Sequence, residues 1–156
     1  MKRTAGWMAV LLLAPAIVGT AQETRKAPVS DVRSQLIGAW RLVWDEDIDA
    51  SGKMVRLNET GIIMYTNDGH MAVQIRLLGP QSTQDPVRYA KDGYEGYYGT
   101  FTVNAKDHSV THHVENALVE SLIGKDLTRV YEFSGKQLIL HSSRADEHWR
   151  ICWEKY

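Results

Sequence analysis

Residues 110–115, Val-Thr-His-His-Val-Glu, bring two imidazoles and a carboxylate together in one short stretch. Imidazole and carboxylate groups bind zinc and exchange protons near neutral pH, so the stretch suggests a metal site or an acid–base centre. The neighbouring residues are β-formers, however, and adjacent side chains on a strand point to opposite faces of the sheet. His112 and His113 therefore diverge. Since zinc needs three or four converging ligands, we predict no metal site here.

The strand before this stretch predicts which histidine turns inward. If Val103 opposes Val110 across the connecting loop, then Phe101 opposes His112 on an apolar face, which we assign to the interior. His112 is therefore expected inside the protein and its neighbour outside. The same register pairs Gly99 with Val114 on the inward face and, on the outward face, Thr102 with Thr111, Thr100 with His113 and Tyr98 with Glu115.

An inward His112 allows two interpretations. In an interior that excludes water it can act as a general acid or base, with Arg129 or Tyr131 polarising a carbonyl of a reactive apolar substrate. The other interpretation is a buried histidine that is hydrogen-bonded to a neighbour. The chain has no serine-nucleophile elbow, phosphate loop, paired-carboxylate motif or cofactor motif, so we expect binding rather than catalysis and no cofactor.

Arg129 lies on the inward face of a later hairpin, in which Phe133 opposes Leu138 and Tyr131 opposes Leu140. An arginine on an apolar face is costly unless its charge is paired. Two placements remain open. The guanidinium stacks on an aromatic ring at the end of the fold, or it reaches into a lumen to meet an acidic ligand.

The elements that carry these residues are strands. About eight β-rich runs follow Gly38, separated by short turns such as Asn67-Asp68-Gly69 and residues 134–136. This pattern predicts an all-β protein, an antiparallel up-and-down β-barrel, with a β-sandwich as the rival. Residues 79–95, rich in turn formers, are expected to form a loop with a short helix over a barrel mouth. A helical turn is predicted around residues 30–37.

The first strand predicts part of the interior. Trp40, Leu42 and Trp44 alternate with other residues and share one face, and barrel strands alternate inward and outward side chains. We therefore assign these three side chains to the inside. Asp45-Glu46-Asp47 ends the strand and is expected to face solvent.

The N-terminus has the order of a secretory signal peptide. Lys2 and Arg3 precede an apolar stretch of about a dozen residues, and small residues follow at a cleavage point. We predict a signal peptide over residues 1–21, an N-terminal tail over 22–34 and a barrel domain over 35–156. The mature protein would be exported, either to a periplasm or out of the cell, with no membrane insertion after cleavage.

Charge and cysteine content limit the partners further. Cleavage removes Lys2 and Arg3 and takes the formal net charge from −1 to −3. Because a nucleic-acid-binding face is usually basic, we expect no nucleic-acid partner. The single cysteine, Cys152, excludes an intramolecular disulfide and is expected to pack as a small apolar residue. The oligomeric state stays open.

Gly38-Ala39-Trp40, at the start of the first strand, resembles the Gly-x-Trp signature of lipocalins. Together with GIIMYTNDGHMAVQI, YYGTFTV, VTHHVEN and a late Arg-x-Tyr-x-Phe strand, it makes residues 34–156 similar to the small bacterial and fungal lipocalin-like domain family. The resemblance implies a barrel that binds a small apolar molecule. It also implies that Trp40 packs at the closed end under an arginine from a late strand, for which Arg129 and Arg150 are both candidates.

The leading prediction is binding of a small hydrophobic or amphipathic molecule inside the barrel. Two alternatives remain: a small isomerase or cyclase that uses His112 with Tyr131 and Arg129, and a filled barrel that serves as a structural or interaction module. The predicted structural residues are Gly38, Trp40 and Arg150, and the predicted ligand-binding residues are Trp44, Tyr65, Phe101, His112, Arg129, Tyr131 and Trp153.

Overall fold

The sheet closes on itself because its first strand pairs with its last. The computed structural model describes residues 29–78 and 89–156. Its elements are α1 (Val29–Leu36), β1 (Gly38–Ile48), β2 (Met54–Leu57), β3 (Glu59–Tyr65), β4 (His70–Leu77), β5 (Ala90–Lys91), β6 (Tyr94–Asn104), β7 (Ser109–Ala117), a short 3-10 helix (Glu120–Leu122), β8 (Asp126–Ser134), β9 (Gln137–Ser142) and β10 (Arg150–Lys155). Eight of these described strands form an antiparallel barrel, while β2 and β5 pair with β1 and β6. The predicted up-and-down barrel of about eight strands is confirmed.

Some predicted segments lie outside the described residues. They are the signal peptide over residues 1–21, the first part of the tail over 22–34 and most of the loop over 79–95. The described end of that loop contains β5, and β6 begins at Tyr94, earlier than the predicted strand start at residue 96. No helix among the described residues is long and apolar enough to cross a membrane.

The helix α1 covers one end of the barrel. Its residues Val32 and Leu36 are buried in the core. The Trp40 indole Nε1 donates a hydrogen bond to the Leu36 carbonyl oxygen at 2.8 Å, which ties the start of β1 to the helix. The structure thus places Trp40 at a closed end. The boundary predicted between residues 34 and 35 falls inside α1.

A lysine, rather than an arginine, lies across Trp40. The Lys155 ammonium lies 5.0 Å from the centre of the Trp40 ring and donates to the Gln35 carbonyl oxygen at 3.1 Å. Gly38 leaves room for this side chain, because a Cβ there would lie 2.8 Å from Lys155 Cε. Gly38 also has a φ of 132°, which side chains rarely adopt.

The prediction of a covering arginine is therefore wrong. Arg150 is the first residue of β10 and is exposed on the outer face near Glu132, whereas the last residue of β10 reaches Trp40. Arg129 stands near the start of β8 and lines the barrel interior. Strand direction explains both errors, since each arginine is at the end of its strand that lies away from α1.

A β-bulge in β1 changes which side chains face inward. Leu42 pairs with Trp153 and Trp44 pairs with Cys152, so Val43 is an extra residue, and it is 41 % exposed. Alternation therefore shifts by one after the bulge. Trp44 turns to the outer face, where the Arg56 guanidinium lies 5.3 Å from its ring centre. The prediction that Trp44 faces the interior with Trp40 is wrong.

The same shift turns the acidic end of β1 inward. Asp45 is buried and Asp47 is half-buried, and both line the interior, while Glu46 pairs with Arg56 outside at 2.8 Å. The expectation that Asp45-Glu46-Asp47 faces solvent is thus wrong for Asp45. The bulge is the physical reason, because it reverses the face of every later residue in the strand.

The hairpin of β6 and β7 has the predicted register over most of its length. Val103 opposes Val110 and Phe101 opposes His112, as the sequence indicated. The remaining pairs also match up to Gly99 and Val114. A bulge then leaves Glu115 without an opposite residue, so Tyr98 pairs with Asn116 instead, and the predicted pair of Tyr98 and Glu115 is wrong.

Gly99 permits the close approach of the strands at this bulge. A Cβ at Gly99 would lie 1.9 Å from the His113 carbonyl oxygen, so Gly99→Ala must displace backbone. We expect this variant to lose more than about 2 kcal/mol of unfolding free energy or to lose cooperative unfolding altogether. Urea denaturation followed by circular dichroism measures the loss.

The matched control is Gly96→Ala in the same strand. A Cβ at Gly96 meets the exposed Leu118 side chain at 3.2 Å, and that side chain can move aside. We expect this control to cost less than about 1 kcal/mol. Equal losses for the two variants would contradict the close approach at the bulge.

Candidate functional site

His112 is held from both sides inside the barrel. Its Nε2 lies 2.8 Å from the Tyr65 hydroxyl and its Nδ1 lies 3.0 Å from the Tyr97 hydroxyl. Burial, with a smaller effect from the Arg129 charge, holds the pKa of His112 well below its usual value. The ring is therefore neutral, so one tyrosine donates to its bare nitrogen and the other accepts from its N–H.

His113 lies on the outer face, as expected. Its Nδ1 is 2.7 Å from Asp126 Oδ1 and its Nε2 is 3.0 Å from Thr102 Oγ1. The two adjacent histidines therefore belong to separate environments. Within residues 29–78 and 89–156, no group of three His, Cys, Asp or Glu side chains is placed to hold a metal ion.

A cavity of about 50 Å³ lies next to His112, on the side of the barrel away from α1. Half-buried Asp47, Leu57 and Trp149 line it and place its opening at that end. Its apolar wall consists of Leu57, Ile63, Val73, Ile75, Leu140 and Ile151. Its aromatic and ionisable lining consists of Tyr89, Tyr97, Trp149, Trp153, Asp45, Asp47, Glu95, His112 and Arg129.

Arg129 is enclosed by aromatic rings at the cavity. Its guanidinium carbon lies 5.1 Å from the Tyr89 ring centre and 4.8 Å from the Trp149 ring centre. Burial alone would lower the pKa of Arg129, but Tyr97, Tyr89 and Glu95 outweigh it and raise the pKa. The arginine thus stacks on aromatic rings and also lines the lumen, while an acidic ligand for it stays a prediction.

Two buried carboxyl groups, Asp45 and Glu95, and the half-buried Glu59 have raised pKa values on this side of the barrel. Burial raises the pKa of Asp45 far above its ordinary value, and the neighbouring Glu59 charge and hydrogen bond raise it further. Burial also raises the pKa of Glu59. Asp45 therefore keeps its proton at neutral pH, and its carboxyl group can donate a hydrogen bond to Glu59. Burial raises the pKa of Glu95 to about 7.

The predicted ligand-binding residues fall into three groups. His112, Arg129 and Trp153 line the cavity. The Tyr65 hydroxyl is hydrogen-bonded to His112, which lines the cavity. Phe101 packs edge-on against Tyr65, with the two ring centres 4.9 Å apart. Trp44 is on the outer face, as described above.

Tyr131 is separated from the cavity. Its ring lies near His108 at 5.8 Å and Phe133 at 5.7 Å, beside the end that α1 covers. The predicted catalytic group of His112, Arg129 and Tyr131 therefore does not converge, because only the first two line the same space.

Sequence reasoning missed Asp45, Glu59, Glu95 and Tyr97. For three of them a signal was present. The inward alternation of β6 from Phe101 and Gly99 continues to Tyr97 and Glu95. Inward alternation in β3 also leads from Tyr65 back to Glu59. Asp45 had no such signal, since only the bulge turns it inward.

Comparisons with known proteins indicate the family to which this chain is similar. A family model described as a lipocalin-like domain matches residues 37–155. A lipocalin-like protein from Bacteroides uniformis is 16% identical over 78% of this chain and 99% of that chain, with a TM-score of 0.45. A protein from Bacteroides eggerthii is 13% identical over 78% and 99%, with a TM-score of 0.44. A mutant of the fluorescent protein UnaG is 11% identical over 79% and 97%, with a TM-score of 0.40. No curated protein matches this chain.

The two histidines should differ sharply in their effect on stability. His112→Ala leaves the Tyr65 and Tyr97 hydroxyls unpaired beside a new void, so we expect a loss of about 3 kcal/mol or more. His113→Ala removes an exposed pair with Asp126 and should cost less than about 1 kcal/mol. Urea unfolding of both variants measures the difference. Similar losses would show that His113 is not the outward residue.

The buried Asp45 proton should make stability depend on pH. Because the folded pKa of Asp45 is raised, the unfolded chain releases this proton first as pH rises above about 4, and that release favours unfolding. Asp47, Glu59 and Glu95 are the carboxyl groups that act on Asp45. Asp45→Asn keeps a donor to Glu59 without the titration.

We therefore expect Asp45→Asn to be increasingly more stable than the wild type between pH 4 and pH 8. Thermal unfolding across this range measures the difference. The control is Glu46→Gln, one residue away on the outer face, which should show no such trend. A difference between wild type and Asp45→Asn that is constant with pH would contradict the raised pKa of Asp45.

Proposed function

Because the chain belongs to the lipocalin-like domain family, we propose that it is an exported protein that binds a small amphipathic molecule inside its barrel. The observation that carries this proposal is the cavity, in which an aliphatic wall faces buried ionisable groups. A cavity of this mixed lining suits a ligand with an apolar body and a polar end.

The buried charges support recognition over mere packing. Arg129 and Glu95 are more than nine-tenths buried, and burying such groups is costly compared with packing apolar side chains of similar volume. Both line a space that still has room beside them. Groups that are expensive for folding and adjacent to a cavity are expected where a polar ligand is recognised.

The size of the cavity limits the ligand. A volume of about 50 Å³ holds a few water molecules or a small organic group, while drug-sized ligands occupy pockets of roughly 300–1,000 Å³. A larger ligand would require side chains that line the cavity, such as half-buried Trp149, to move. A small molecule fits the proposal better than a long lipid.

The alternatives gain no support from the geometry. Acid–base catalysis by His112 would require a free ring nitrogen, yet both nitrogens are already engaged by tyrosine hydroxyls. A completely filled barrel is at odds with the cavity. The half nearest α1 is nonetheless packed, with Trp40, Phe101 and Tyr131 buried.

Export rests on the N-terminal residues. Lys2 and Arg3, the apolar stretch and the small residues before residue 22 support cleavage of a signal peptide. An intact mass of protein from its own host that lacks residues 1–21 would support export. A mass that includes these residues would contradict it.

A cavity-filling variant tests ligand binding. Val73 lines the cavity and Gln74, its neighbour in β4, is exposed on the outer face, so Val73→Phe and Gln74→Phe add the same ring to opposite sides. Native mass spectrometry of protein purified from its own host should show a small non-covalent adduct on the wild type and on Gln74→Phe. The adduct should be absent from Val73→Phe.

The controls make this result decisive. Cooperative thermal unfolding of both variants establishes that each is folded. A wild-type protein without an adduct, or an adduct on Val73→Phe equal to that on the wild type, would contradict binding inside the barrel.

A further inference from the structure

Glu147 is a nearly buried carboxylate in residues 143–149, the connection between β9 and β10. Its side chain is only 6 % exposed. Its Oε1 accepts a hydrogen bond from the Tyr89 hydroxyl at 2.9 Å, and its Oε2 accepts from the Ser142 hydroxyl at 2.5 Å and from the Trp149 indole N–H at 3.2 Å. One carboxylate thus joins the end of β9, the residue before β5 and the residue before β10.

The Glu147 carboxylate is charged at neutral pH. Burial alone would raise the pKa of Glu147, but these three hydrogen bonds and the Arg129 charge outweigh it and lower the pKa. The Arg144 Nε also lies 3.4 Å from Oε1, on the exposed side of the connection. Hydrogen bonds to an ionised acceptor are roughly twice as strong as those between neutral groups, so the three donors are held firmly.

Two of these donors belong to the rings that enclose Arg129. Tyr89 and Trp149 both line the cavity, and half-buried Trp149 lies at its opening. We call these two rings the entrance rings. Arg129 stacks on both of them but is itself attached to β8, so neither ring is fixed by the strand that carries the arginine.

The position of Trp149 depends on side-chain contacts. β10 begins only at Arg150, and residues 143–149 contain no helix or strand, so strand pairing does not extend to Trp149. Stacking on a guanidinium lets a ring slide, whereas a hydrogen bond fixes the polar end of the ring. The Glu147 carboxylate supplies that fixed point for both entrance rings.

Resting on the proposed binding function, we propose that Glu147 is the positioning residue of the cavity entrance: it holds the entrance rings at the opening, and a ligand enters or leaves when these contacts break. Glu147 is not among the residues that line the cavity, so it acts through the two rings. It therefore governs how fast a bound molecule escapes.

Fluorine NMR of protein labelled with 5-fluorotryptophan tests the positioning. The difference in fluorine chemical shift between H₂O and D₂O measures the solvent exposure of each indole, and tryptophan-to-phenylalanine variants assign the resonances. Glu147→Leu removes both acceptor oxygens, so we expect the Trp149 difference to rise toward that of free 5-fluorotryptophan. The difference for Trp40, at the end that α1 covers, should stay unchanged.

The matched control is Asp146→Leu. Asp146 is the exposed neighbour of Glu147 and pairs with Arg144 at 2.9 Å, so the same substitution there should leave the Trp149 difference at its wild-type value. Thermal unfolding establishes that both variants are folded. An unchanged Trp149 difference in Glu147→Leu, or an equal rise in both variants, would overturn the proposal.

Glu147→Gln gives a second measurement if Glu147→Leu is unfolded. It keeps the size of the side chain but has one acceptor oxygen instead of two and no charge. Its Trp149 difference should exceed that of the wild type. A difference equal to the wild-type value would count against the proposal as strongly as an unchanged Glu147→Leu.

The escape of the ligand is measured by native mass spectrometry. Protein purified from its own host is exchanged into fresh buffer, and the non-covalent adduct is followed with time. Loss from Glu147→Leu should be at least about tenfold faster than from the wild type, because the strength of one hydrogen bond to a charged group corresponds to about that factor. Asp146→Leu should match the wild type, and equal rates for all three proteins would overturn the proposal.

These outcomes separate this inference from the proposed function. If the wild type carries an adduct but Glu147→Leu changes neither the Trp149 difference nor the escape rate, the role of Glu147 fails and binding in the barrel stands. If the wild type carries no adduct, the proposed function fails, and the entrance role fails with it even where the Trp149 difference changes.

Discussion

One extra residue in β1, Val43, decides which side chains enter the half of the barrel away from α1. Before the bulge, Trp40 points inward, while after it Asp45 and Asp47 do. Bulges also increase local strand twist, which a closed barrel requires. Without the bulge, Trp44 would fill the space that the cavity now occupies and Asp45 would reach solvent. The inward placement of Asp45 and Asp47 therefore depends on a single irregularity of strand pairing.

The bulge divides the barrel interior into an apolar half and a half that contains ionisable groups. The half nearest α1 is packed by apolar and aromatic side chains, with Trp40 sealed by Lys155. The other half contains ionisable groups, and three features limit the free-energy cost of burying them. Asp45 keeps its proton at neutral pH, Arg129 stacks on the Tyr89 and Trp149 rings, and His112 stays neutral. Each feature removes an uncompensated charge from a region of low dielectric.

The sequence was sufficient for features that follow from period-two alternation. The barrel, most of the β6 and β7 register and the split between His112 and His113 all depend on that alternation, and they are present as predicted. The wrong predictions lie where a bulge breaks this alternation, or where the outcome depends on how far along its strand a residue lies. The bulges misplaced Trp44 and the partner of Tyr98. A bulge depends on contacts between strands that are far apart in the sequence, so no local sequence pattern predicts it.

The same limit explains what was missed in the site. Sequence patterns assign polar residues to the outer face by default. Glu95 and Glu59 were therefore not considered as site residues, even though alternation from inward neighbours reaches them. The sequence pattern also does not indicate how far along the barrel axis a side chain lies. Tyr131 and Arg129 share an inward face, yet one lies beside α1 and the other lines the cavity.

His112 lies at the division between these halves and explains how the cavity stays in place. Through Tyr65 in β3 and Tyr97 in β6, it links three strands across the barrel interior by hydrogen bonds. A neutral imidazole offers one donor and one acceptor on opposite sides of a rigid ring. Phenylalanine supplies neither, and lysine and arginine supply donors only. The spacing of these strands is thereby fixed, and collapse of the wall into the cavity would break two buried hydrogen bonds. His112 therefore serves the site by holding its wall, which is a role suited to binding and at odds with a histidine that must gain and lose a proton.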